Sequence, residues 1–327
     1  MRRRRRGPVA LAVSMLAITL GASACSSGPK ATAHSAANPT DPAATQAIDS
    51  LPGTDVTQSG EGSGDLRLVN FHSSALHRQD SYLIYLPPGY QSAASSGTRF
   101  PVLYMLHGDG NDGHRDALHL FLKGDVGPTA SELWASGQAR HMLIVVPNLA
   151  APNPDGDTEW ANTSRGKYET ALLQMVHTVD ATWSTIANRS GRGISGLSMG
   201  GYGAVNVGLR HLNLFSTIES WSGYFNQTRD GPYEGASRKL LRATSPAVYV
   251  HRMRRALARN PIHMLIYVSP AEAFASEQAP FARTLRSFGV PVVAKLFGGR
   301  HNFDLWAAHM GLALTFASRW LAPPGSG

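Results

Sequence analysis

Short apolar runs alternate along the chain with longer segments whose apolar residues recur at helical spacing. Residues 102–106 and 142–146 are continuous apolar runs, which are typical of strands buried on both faces. Residues 81–86 predict a further strand, because Pro87-Pro88-Gly89 follows them as a turn. The same patterns predict strands at residues 192–195, 216–222, 263–268 and 290–297, and helices at residues 168–183, 199–209, 270–288 and 303–320.

This alternation of strands and helices predicts the α/β class. Successive strand-helix units favour parallel pairing, with a mostly parallel central sheet flanked by helices on both faces. Residues 65–322 have a size compatible with one such domain. Ligands of open α/β sheets bind at the carboxyl ends of the strands, so polar residues that follow the predicted strands are the candidates for chemistry.

The first 25 residues have the pattern of an export signal. Arg2 to Arg6 precede an apolar run at residues 9–20 that is too short to form a permanent membrane span. Ala22-Ser23-Ala24 then precedes Cys25, the single cysteine of the chain. This arrangement resembles a bacterial lipobox, in which the cysteine is lipidated, with alanine at position 22 where lipoproteins usually carry leucine. The alternative is plain secretion with Cys25 as a free thiol, and both place the mature protein outside the cytoplasm.

Four segments follow from this interpretation. Residues 1–24 are predicted as a signal peptide, and residues 25–64 as the lipobox cysteine and a flexible linker rich in Ser, Ala, Thr, Pro and Gly. Residues 65–322 are predicted as the folded α/β domain, which would carry any chemistry, and residues 323–327 as a tail. Membrane contact is expected through the lipid anchor only.

Much of the positive net charge of the chain comes from its first 24 residues. Lysine and arginine number 30 against 22 acidic residues, a formal net charge of +8, but residues 1–24 hold five of the arginines and no acid. Without that segment, 25 basic residues face 22 acidic ones, a net charge of +3, so no nucleic-acid partner is expected. A single cysteine excludes a disulfide framework and a cysteine-based metal cluster.

Gly196-Leu197-Ser198-Met199-Gly200 fits the pattern G-x-S-x-G. A predicted strand precedes it and a predicted helix follows it, a setting in which the glycines allow a sharp turn that exposes the serine hydroxyl. The amino terminus of that helix favours negative charge that develops beside the serine. The sequence therefore predicts Ser198 as a nucleophile.

Several motifs together resemble the esterase D family of α/β-hydrolases. They are, in chain order, residues 86–90, residues 99–108, Tyr168-Glu169-Thr170 and residues 196–203. The resemblance covers roughly residues 65–322 and implies the α/β-hydrolase fold. The family includes S-formylglutathione hydrolases, feruloyl and acetyl xylan esterases and mycobacterial mycolyltransferases, so the resemblance settles the fold better than the substrate.

A serine nucleophile needs a histidine base and a carboxylate that orients the base, and in α/β-hydrolases the chain order is serine, acid, histidine. Glu272 and Glu277 are the acids that follow the strand predicted at residues 263–268, where the acid loop belongs. The resemblance implies Glu272, at a position where most members carry aspartate and the mycolyltransferases carry glutamate. Residues 269–272 also fit a capping box, so a purely structural role for Glu272 is the alternative.

His301 is predicted as the general base. It follows the last predicted strand and a Gly298-Gly299 turn, and it precedes the last predicted helix. It resembles the histidine of the family's Gly-Gly-His-x-x-x-x-Trp ending, with Trp306 five residues later. Arg300, inserted between the glycine pair and His301, is a departure from that pattern.

Two backbone N–H groups are predicted to receive the oxyanion. The resemblance implies the N–H of Asp109, which follows His107-Gly108 after the strand at residues 102–106. Met199 supplies the second N–H, as the residue after the nucleophile. Two such donors stabilise the charge on a tetrahedral oxygen, and losing one typically costs about 2.7 to 4 kcal/mol.

The same loop raises the question of a metal. Its candidate ligands are Asp109, Asp112, His114 and Asp116. Their spacing fits no EF-hand loop, so a polar active-site loop is the preferred interpretation and no metal is expected.

Three further residues are candidates for substrate binding. Trp160 and Asn162 lie in the loop after the strand at residues 142–146, and Trp306 belongs to the family ending described above. An ordinary surface position is the alternative for the first two.

These predictions together indicate a surface-anchored or secreted serine carboxylic-ester hydrolase that uses a Ser-His-Glu triad, an acyl-enzyme and no cofactor. The expected substrate is a small-molecule, glycan or lipid ester. One alternative is a mycolyltransferase-like acyltransferase, in which a sugar hydroxyl replaces water. The other is a non-catalytic envelope lipoprotein with the hydrolase fold.

Overall fold

The computed structural model describes residues 63–110, 116–151 and 156–326. The strands are β1 (Asp65–Ser73), β2 (Arg78–Leu86), β3 (Thr98–Arg99), β4 (Val102–Leu106), β5 (Leu143–Pro147), β6 (Asn162–Thr163), β7 (Gly166–Lys167), β8 (Arg192–Gly196), β9 (Thr217–Trp221), β10 (His263–Val268), β11 (Val292–Leu296) and β12 (Gly325–Ser326). The α-helices are α1 (Tyr90–Ser95), α2 (Asp116–Lys123), α3 (Val126–Ala135), α4 (Tyr168–Thr182), α5 (Met199–Arg210), α6 (Arg238–Thr244), α7 (Pro246–Tyr249), α8 (Arg254–Arg259), α9 (Ala275–Ser287), α10 (Phe303–Ala308) and α11 (Met310–Trp320).

The central sheet has eight strands in the order β1-β2-β5-β4-β8-β9-β10-β11. β2 is antiparallel to both of its neighbours, β1 and β5, whereas the pairs from β5 to β11 are all parallel. The predicted α/β class with a mostly parallel sheet is therefore confirmed.

Alternate residues of the central strands enter two apolar layers, one on each face of the sheet. In β4, Val102, Tyr104 and Leu106 belong to one layer and Leu103 and Met105 to the other. Helices α4, α5 and α9 cover the first layer, and helices α2, α3 and α11 cover the second. Both faces are thus buried, which explains why β4 and β5 are continuous apolar runs in the sequence.

The structure differs from the predicted elements in several places, and it adds helices that were not predicted, among them α2 and α3. β1 was not predicted, because its apolar residues are interspersed with exposed polar ones. The helix predicted at residues 270–288 begins at Ala275, and the one predicted at residues 303–320 is two helices separated at His309. Gly325–Ser326, predicted to lie in a tail, pair with β3 in a small antiparallel sheet.

The strand register brings the candidate residues to one edge of the sheet. Leu106 at the end of β4 pairs with Gly196 at the end of β8, so His107 and Ser198 leave neighbouring strands. Val268 at the end of β10 pairs with Leu296 at the end of β11, so the turns that carry Glu272 and His301 also start side by side. This is the carboxyl edge at which α/β sheets bind ligands.

The predicted signal peptide and Cys25 lie outside the described residues, as does the predicted linker up to residue 62. Across the ranges that the structure does describe, no helix combines the length and the apolar character that crossing a membrane requires.

Candidate active site

Ser198 occupies a strained turn between β8 and α5. Its backbone has φ 55° and ψ −121°, in the positive-φ region that residues with a Cβ rarely adopt. The flanking glycines permit the turn, because a Cβ at Gly200 would lie 2.1 Å from the carbonyl oxygen of Leu106, and one at Gly196 would lie 2.4 Å from that of Gly200. The N–H of Ser198 donates to the carbonyl oxygen of Trp221 at 2.8 Å, which anchors the turn on β9.

The imidazole of His301 lies between Ser198 and Glu272. Its Nε2 is 2.8 Å from Oγ of Ser198, and its Nδ1 is 2.7 Å from Oε2 of Glu272. A carboxylate only accepts hydrogen bonds, so Nδ1 carries the hydrogen and Nε2 accepts the serine hydroxyl. The His301 side chain is 37% exposed and that of Glu272 only 3%. The structure therefore brings together the three residues predicted from sequence, in a geometry suited to proton transfer from the serine.

Two further donors hold the Glu272 carboxylate. Its Oε1 accepts the hydroxyl of Ser222 and the N–H of Ser269, both at 2.9 Å. Ser222 in turn accepts the indole N–H of Trp306 at 3.0 Å. Trp306 also packs edge-on against His301, with ring centroids 5.1 Å apart. Trp306 thus contacts both Ser222 and His301. The Glu272 carboxylate cannot rotate without losing its hydrogen bonds to Ser222 and Ser269.

The contact between Glu272 and the N–H of Ser269 is the one that a capping box predicts. The residues form a turn after β10, however, and not the first turn of a helix, since α9 begins at Ala275. Glu272 therefore has both of the roles considered from sequence: one carboxylate oxygen closes the turn and the other faces His301.

Glu277, the other acid considered, points elsewhere. Its Oε2 accepts the backbone N–H groups of Phe225 at 2.6 Å and Asn226 at 3.1 Å. It stabilises the loop after β9 and has no hydrogen bond to His301 among the described residues.

The two chain segments that hold the predicted oxyanion donors lie beside the serine. A Cβ at Gly108 would lie 3.2 Å from the Cβ of Ser198, so the chain packs directly on the turn just before Asp109. Met199 is the first residue of α5, where N–H groups lack intrahelical partners. Backbone of the loop after β4 and of the start of α5 therefore lies beside Ser198, where an oxyanion site needs its donors.

Trp160 lies beneath this loop and does not line an open pocket, contrary to the prediction. It is fully buried, its indole N–H donates to the carbonyl oxygen of His107 at 3.1 Å, and the two rings are 4.8 Å apart. Burial lowers the pKa of His107 to about 4, so its imidazole is neutral at pH 7. Both side chains support the loop from below.

Asn162, also predicted to bind substrate, lies in β6 and contacts the start of α4. Its Oδ1 accepts the N–H of Thr170 at 3.1 Å, and its Nδ2 donates to the Thr170 hydroxyl at 2.9 Å. These contacts order the loop before α4 and involve none of the triad residues.

Two functional candidates were missed from sequence. Ser222 directly follows β9, and its place at the carboxyl end of a strand was the available signal.

Glu159 gave no signal in the sequence, because it resembles an ordinary acidic residue of a loop. The structure buries it, and burial raises its pKa to about 8. Its carboxyl group accepts the hydroxyl of Tyr224 at 2.6 Å and the amide of Gln227 at 3.0 Å.

A cavity of about 270 Å³ adjoins the triad. It is lined by Ala271, Glu272, Ala273, Phe274, Arg300 and His301. Phe274 packs edge-on against His301 with ring centroids 5.5 Å apart, and Tyr224 lies 5.7 Å from Phe274 on the same measure. The cavity therefore combines aromatic and aliphatic side chains with three charged or titratable ones, Glu272, Arg300 and His301.

The residues considered as metal ligands and set aside are only partly described. Asp112 and His114 lie outside the described residues. Within residues 63–110, 116–151 and 156–326, no three His, Cys, Asp or Glu side chains are grouped as a metal ion would need.

Curated proteins similar to this chain are esterases. An esterase of Mycobacterium tuberculosis is 26% identical over 179 residues, which are 54% of this chain and 36% of that protein. An endo-1,4-beta-xylanase/feruloyl esterase of Xylanibacter ruminicola is 26% identical over 175 residues, 52% of this chain and 22% of that protein. The aligned part of the chain thus spans about a third or less of the length of these relatives.

Solved structures extend the similarity to most of the chain. A ferulic acid esterase has a TM-score of 0.69 and 24% identity, and the match covers 79% of this chain and 99% of that one. An S-formylglutathione hydrolase from Agrobacterium tumefaciens has a TM-score of 0.66 and 16% identity, covering 83% of this chain and 100% of that one. The predicted α/β-hydrolase fold is confirmed.

The family assignment rests on the sequence match. Residues 73–310 match the model of the Esterase family, whose description is "Putative esterase". This range contains Ser198, Glu272 and His301, together with the loop at residues 107–109, and it covers more than half of the chain. The resemblance predicted from the sequence motifs is thereby confirmed: the chain belongs to the Esterase family.

Proposed function

We propose that this chain is a serine carboxylic-ester hydrolase, with Ser198 as nucleophile, His301 as general base and Glu272 as the orienting carboxylate. The observation that carries the proposal is the continuous hydrogen-bonded series from Oγ of Ser198 through the imidazole to Oε2 of Glu272, at 2.8 Å and 2.7 Å. A serine hydroxyl in this setting loses its proton to the imidazole as it attacks a carbonyl carbon. Membership of the Esterase family supports the same chemistry.

The first half of the reaction forms an acyl-enzyme. Oγ of Ser198 bonds to the ester carbonyl carbon while Nε2 of His301 takes the hydroxyl proton. Glu272 stabilises the resulting imidazolium through Nδ1. The tetrahedral intermediate then collapses, the bond to the alcohol oxygen breaks, and the imidazolium returns its proton to the departing alcohol.

The second half releases the acid. Water gives a proton to Nε2 of His301 and bonds to the acyl carbon, and the bond to Oγ of Ser198 then breaks as the proton passes to Oγ. In both halves the carbonyl oxygen becomes negative, and the N–H groups of Asp109 and Met199 are proposed to stabilise it. The position of Gly108 against Ser198 and the helical start at Met199 support this assignment.

The test is turnover of p-nitrophenyl acetate, butyrate and palmitate by the purified protein, together with labelling by a fluorophosphonate probe. Wild-type protein is expected to hydrolyse at least one ester and to be labelled, and Ser198→Ala to do neither. Ser287→Ala, which changes an exposed serine at the end of α9, is the matched control and should behave as wild type. Folded wild-type protein with neither labelling nor turnover would contradict the proposal.

An acyl-enzyme is common to hydrolysis and to acyl transfer. Repeating the assay with trehalose or another sugar present distinguishes the two, because a transferase forms the sugar ester and turns over faster with the acceptor. We propose water as the acceptor, so the rate of release of free acid should not depend on added sugar.

We also propose that the protein acts outside the cytoplasm, with Cys25 as the site of a lipid anchor. The Arg2–Arg6 segment, the apolar run and the small residues before Cys25 support this proposal. Metabolic labelling with a fatty-acid probe should mark wild-type protein but not Cys25→Ser. Unlabelled, released wild-type protein would favour plain secretion.

A further inference from the structure

Arg300 lies next to the proposed base and faces the same cavity. Arg300 and His301 are consecutive residues of the turn after β11, and both line the cavity of about 270 Å³. The turn between β10 and α9 also lines the cavity, with the small side chains of Ala271 and Ala273 and the ring of Phe274. Arg300 is therefore the one permanent cation among the described residues that line this cavity.

Among the residues that the structure describes, the guanidinium of Arg300 has no partner. Across residues 63–110, 116–151 and 156–326, its nitrogen atoms make no hydrogen bond or ion pair, and only the Arg300 carbonyl oxygen is used, by the N–H of Asn302 at 2.8 Å. Glu272, the acid of the cavity wall, is buried and accepts hydrogen bonds from His301, Ser222 and Ser269. Its two oxygen atoms thus already have hydrogen-bond donors other than Arg300.

An arginine without a partner beside a partly apolar cavity is suited to bind an anionic ligand. The guanidinium is charged at every working pH and presents N–H donors in a planar fork. That fork matches the paired oxygens of a carboxylate or a phosphate. With a neutral ester in the cavity, the N–H groups of the guanidinium would donate hydrogen bonds to water only.

The position of the cavity indicates which part of the ester it receives. Nε2 of His301 must return its proton to the departing alcohol, so the alcohol oxygen lies on the His301 side of Ser198. The residues assigned to the oxyanion, Asp109 and Met199, do not line the cavity. The cavity therefore extends from the site of the leaving group.

We propose that Arg300 binds an anionic oxygen group, a carboxylate or a phosphate, on the alcohol part of the ester. The inference rests on the proposed function, since it names the substrate class of the same site. It also gives a role to the residue by which the turn departs from the Gly-Gly-His pattern.

The test compares matched aryl acetates: 4-acetoxybenzoate and 4-acetoxyphenyl phosphate as anionic esters, each against neutral 4-acetoxybenzamide. The quantity measured is the ratio of kcat/KM for the anionic ester to that for the neutral ester, so that general effects of a substitution cancel. Full-length wild type, Arg300→Gln, Arg300→Lys and Arg300→Glu are compared. Lys295→Gln removes an exposed cation of β11 outside the cavity lining and is the matched control.

The ratio is expected to fall about two- to fivefold in Arg300→Gln, the range of an ion pair at a solvent-exposed site. It should fall further in Arg300→Glu, be partly retained in Arg300→Lys and be unchanged in Lys295→Gln. In wild type it should decrease as sodium chloride is raised, because solvent-exposed charges are screened. Whichever anionic ester has the larger Arg300-dependent ratio identifies the group that is bound.

An unchanged ratio in Arg300→Gln, or an equal fall in Lys295→Gln, would overturn the proposal. A second pair of esters carries the charge on the acyl part: the phenyl monoester of adipic acid and its terminal amide. Dependence on Arg300 in this pair alone would overturn the assignment to the alcohol. Failure of the proposed function is distinct, since no ester would then show turnover that depends on Ser198.

Discussion

The hydroxyl of Ser222 donates to Oε1 of Glu272 at 2.9 Å, on the carboxylate oxygen that does not face His301. Ser222 has a positive φ of 52°, and its own N–H donates to the carbonyl oxygen of Tyr267 at 2.7 Å. The central sheet therefore holds this residue in an unfavourable backbone conformation, with its hydroxyl beneath the carboxylate. The orientation of the proposed triad depends on the end of β9 as well as on its own three members.

Replacing Ser222 with alanine should lower kcat with little change in KM. The substitution removes a hydrogen bond to the carboxylate that orients His301, and a loss of about 1 to 2 kcal/mol corresponds to a roughly five- to thirtyfold fall. Ser222→Gly is the matched variant, because glycine adopts φ 52° without strain. Steady-state kinetics of both variants provide the check, and wild-type kcat in Ser222→Gly would show that the hydroxyl has no positioning role.

Glu272 and Glu277 should respond differently to the same substitution. Glu272→Gln leaves His301 without a carboxylate on Nδ1 and is expected to reduce kcat by on the order of 10⁴-fold. Glu277→Gln weakens the acceptor for the N–H groups of Phe225 and Asn226, so it should lower the melting temperature and leave most of the turnover. Turnover and thermal unfolding are measured on both variants. Equal losses of kcat would contradict the assignment of the acid.

Glu159 should make stability depend on pH. Burial raises its pKa from 4.5 to about 8, so the folded protein keeps a proton that the unfolded chain loses over this interval. Its contribution to stability is full below about pH 4.5 and is lost as the pH rises through about 8, with a slope of at most about 1.4 kcal/mol per pH unit.

Glu159→Gln resembles the protonated side chain and should remove this part of the pH dependence. Urea unfolding between pH 5 and pH 9 measures the slope for wild type and for the variant. Glu132→Gln, at an exposed position of α3, is the control for the change in total charge. The same slope in Glu159→Gln as in wild type would show that this carboxyl group does not titrate as described.

Two glycines should differ sharply in their tolerance of a methyl group. Gly200→Ala places a Cβ 2.1 Å from the carbonyl oxygen of Leu106, so the turn that carries Ser198 must move, and both activity and stability should fall. Gly311→Ala in α11 meets only the Thr129 side chain at 3.8 Å, and should stabilise the fold by about 0.5 to 1 kcal/mol. Thermal unfolding and turnover of the two variants test the contrast. Full activity in Gly200→Ala would show that the turn can relax.

Local sequence patterns predicted the elements that are buried on both faces. The runs at residues 102–106 and 263–268 have the bounds of β4 and β10, because every position in such a strand favours an apolar residue. β1 was missed, since a strand at the sheet edge keeps exposed polar residues and loses the simple pattern. The start of α9 was placed too early because Ser269 and Glu272 do form a capping-box contact, in a turn that precedes the helix.

By itself, the sequence determined the α/β class, the serine in its G-x-S-x-G turn and the order of candidate residues that follow it. Backbone geometry and side-chain periodicity are local properties, and a few neighbouring residues suffice to express them. The tertiary structure decided that Glu272 and not Glu277 meets His301, that Ser222 supports that carboxylate, and that Trp160 and Glu159 are buried. The residues involved come from segments that are distant in the chain, and hydrogen bonds act only over a few ångströms. The strand order and register decide which turns lie side by side, and therefore which of these residues meet.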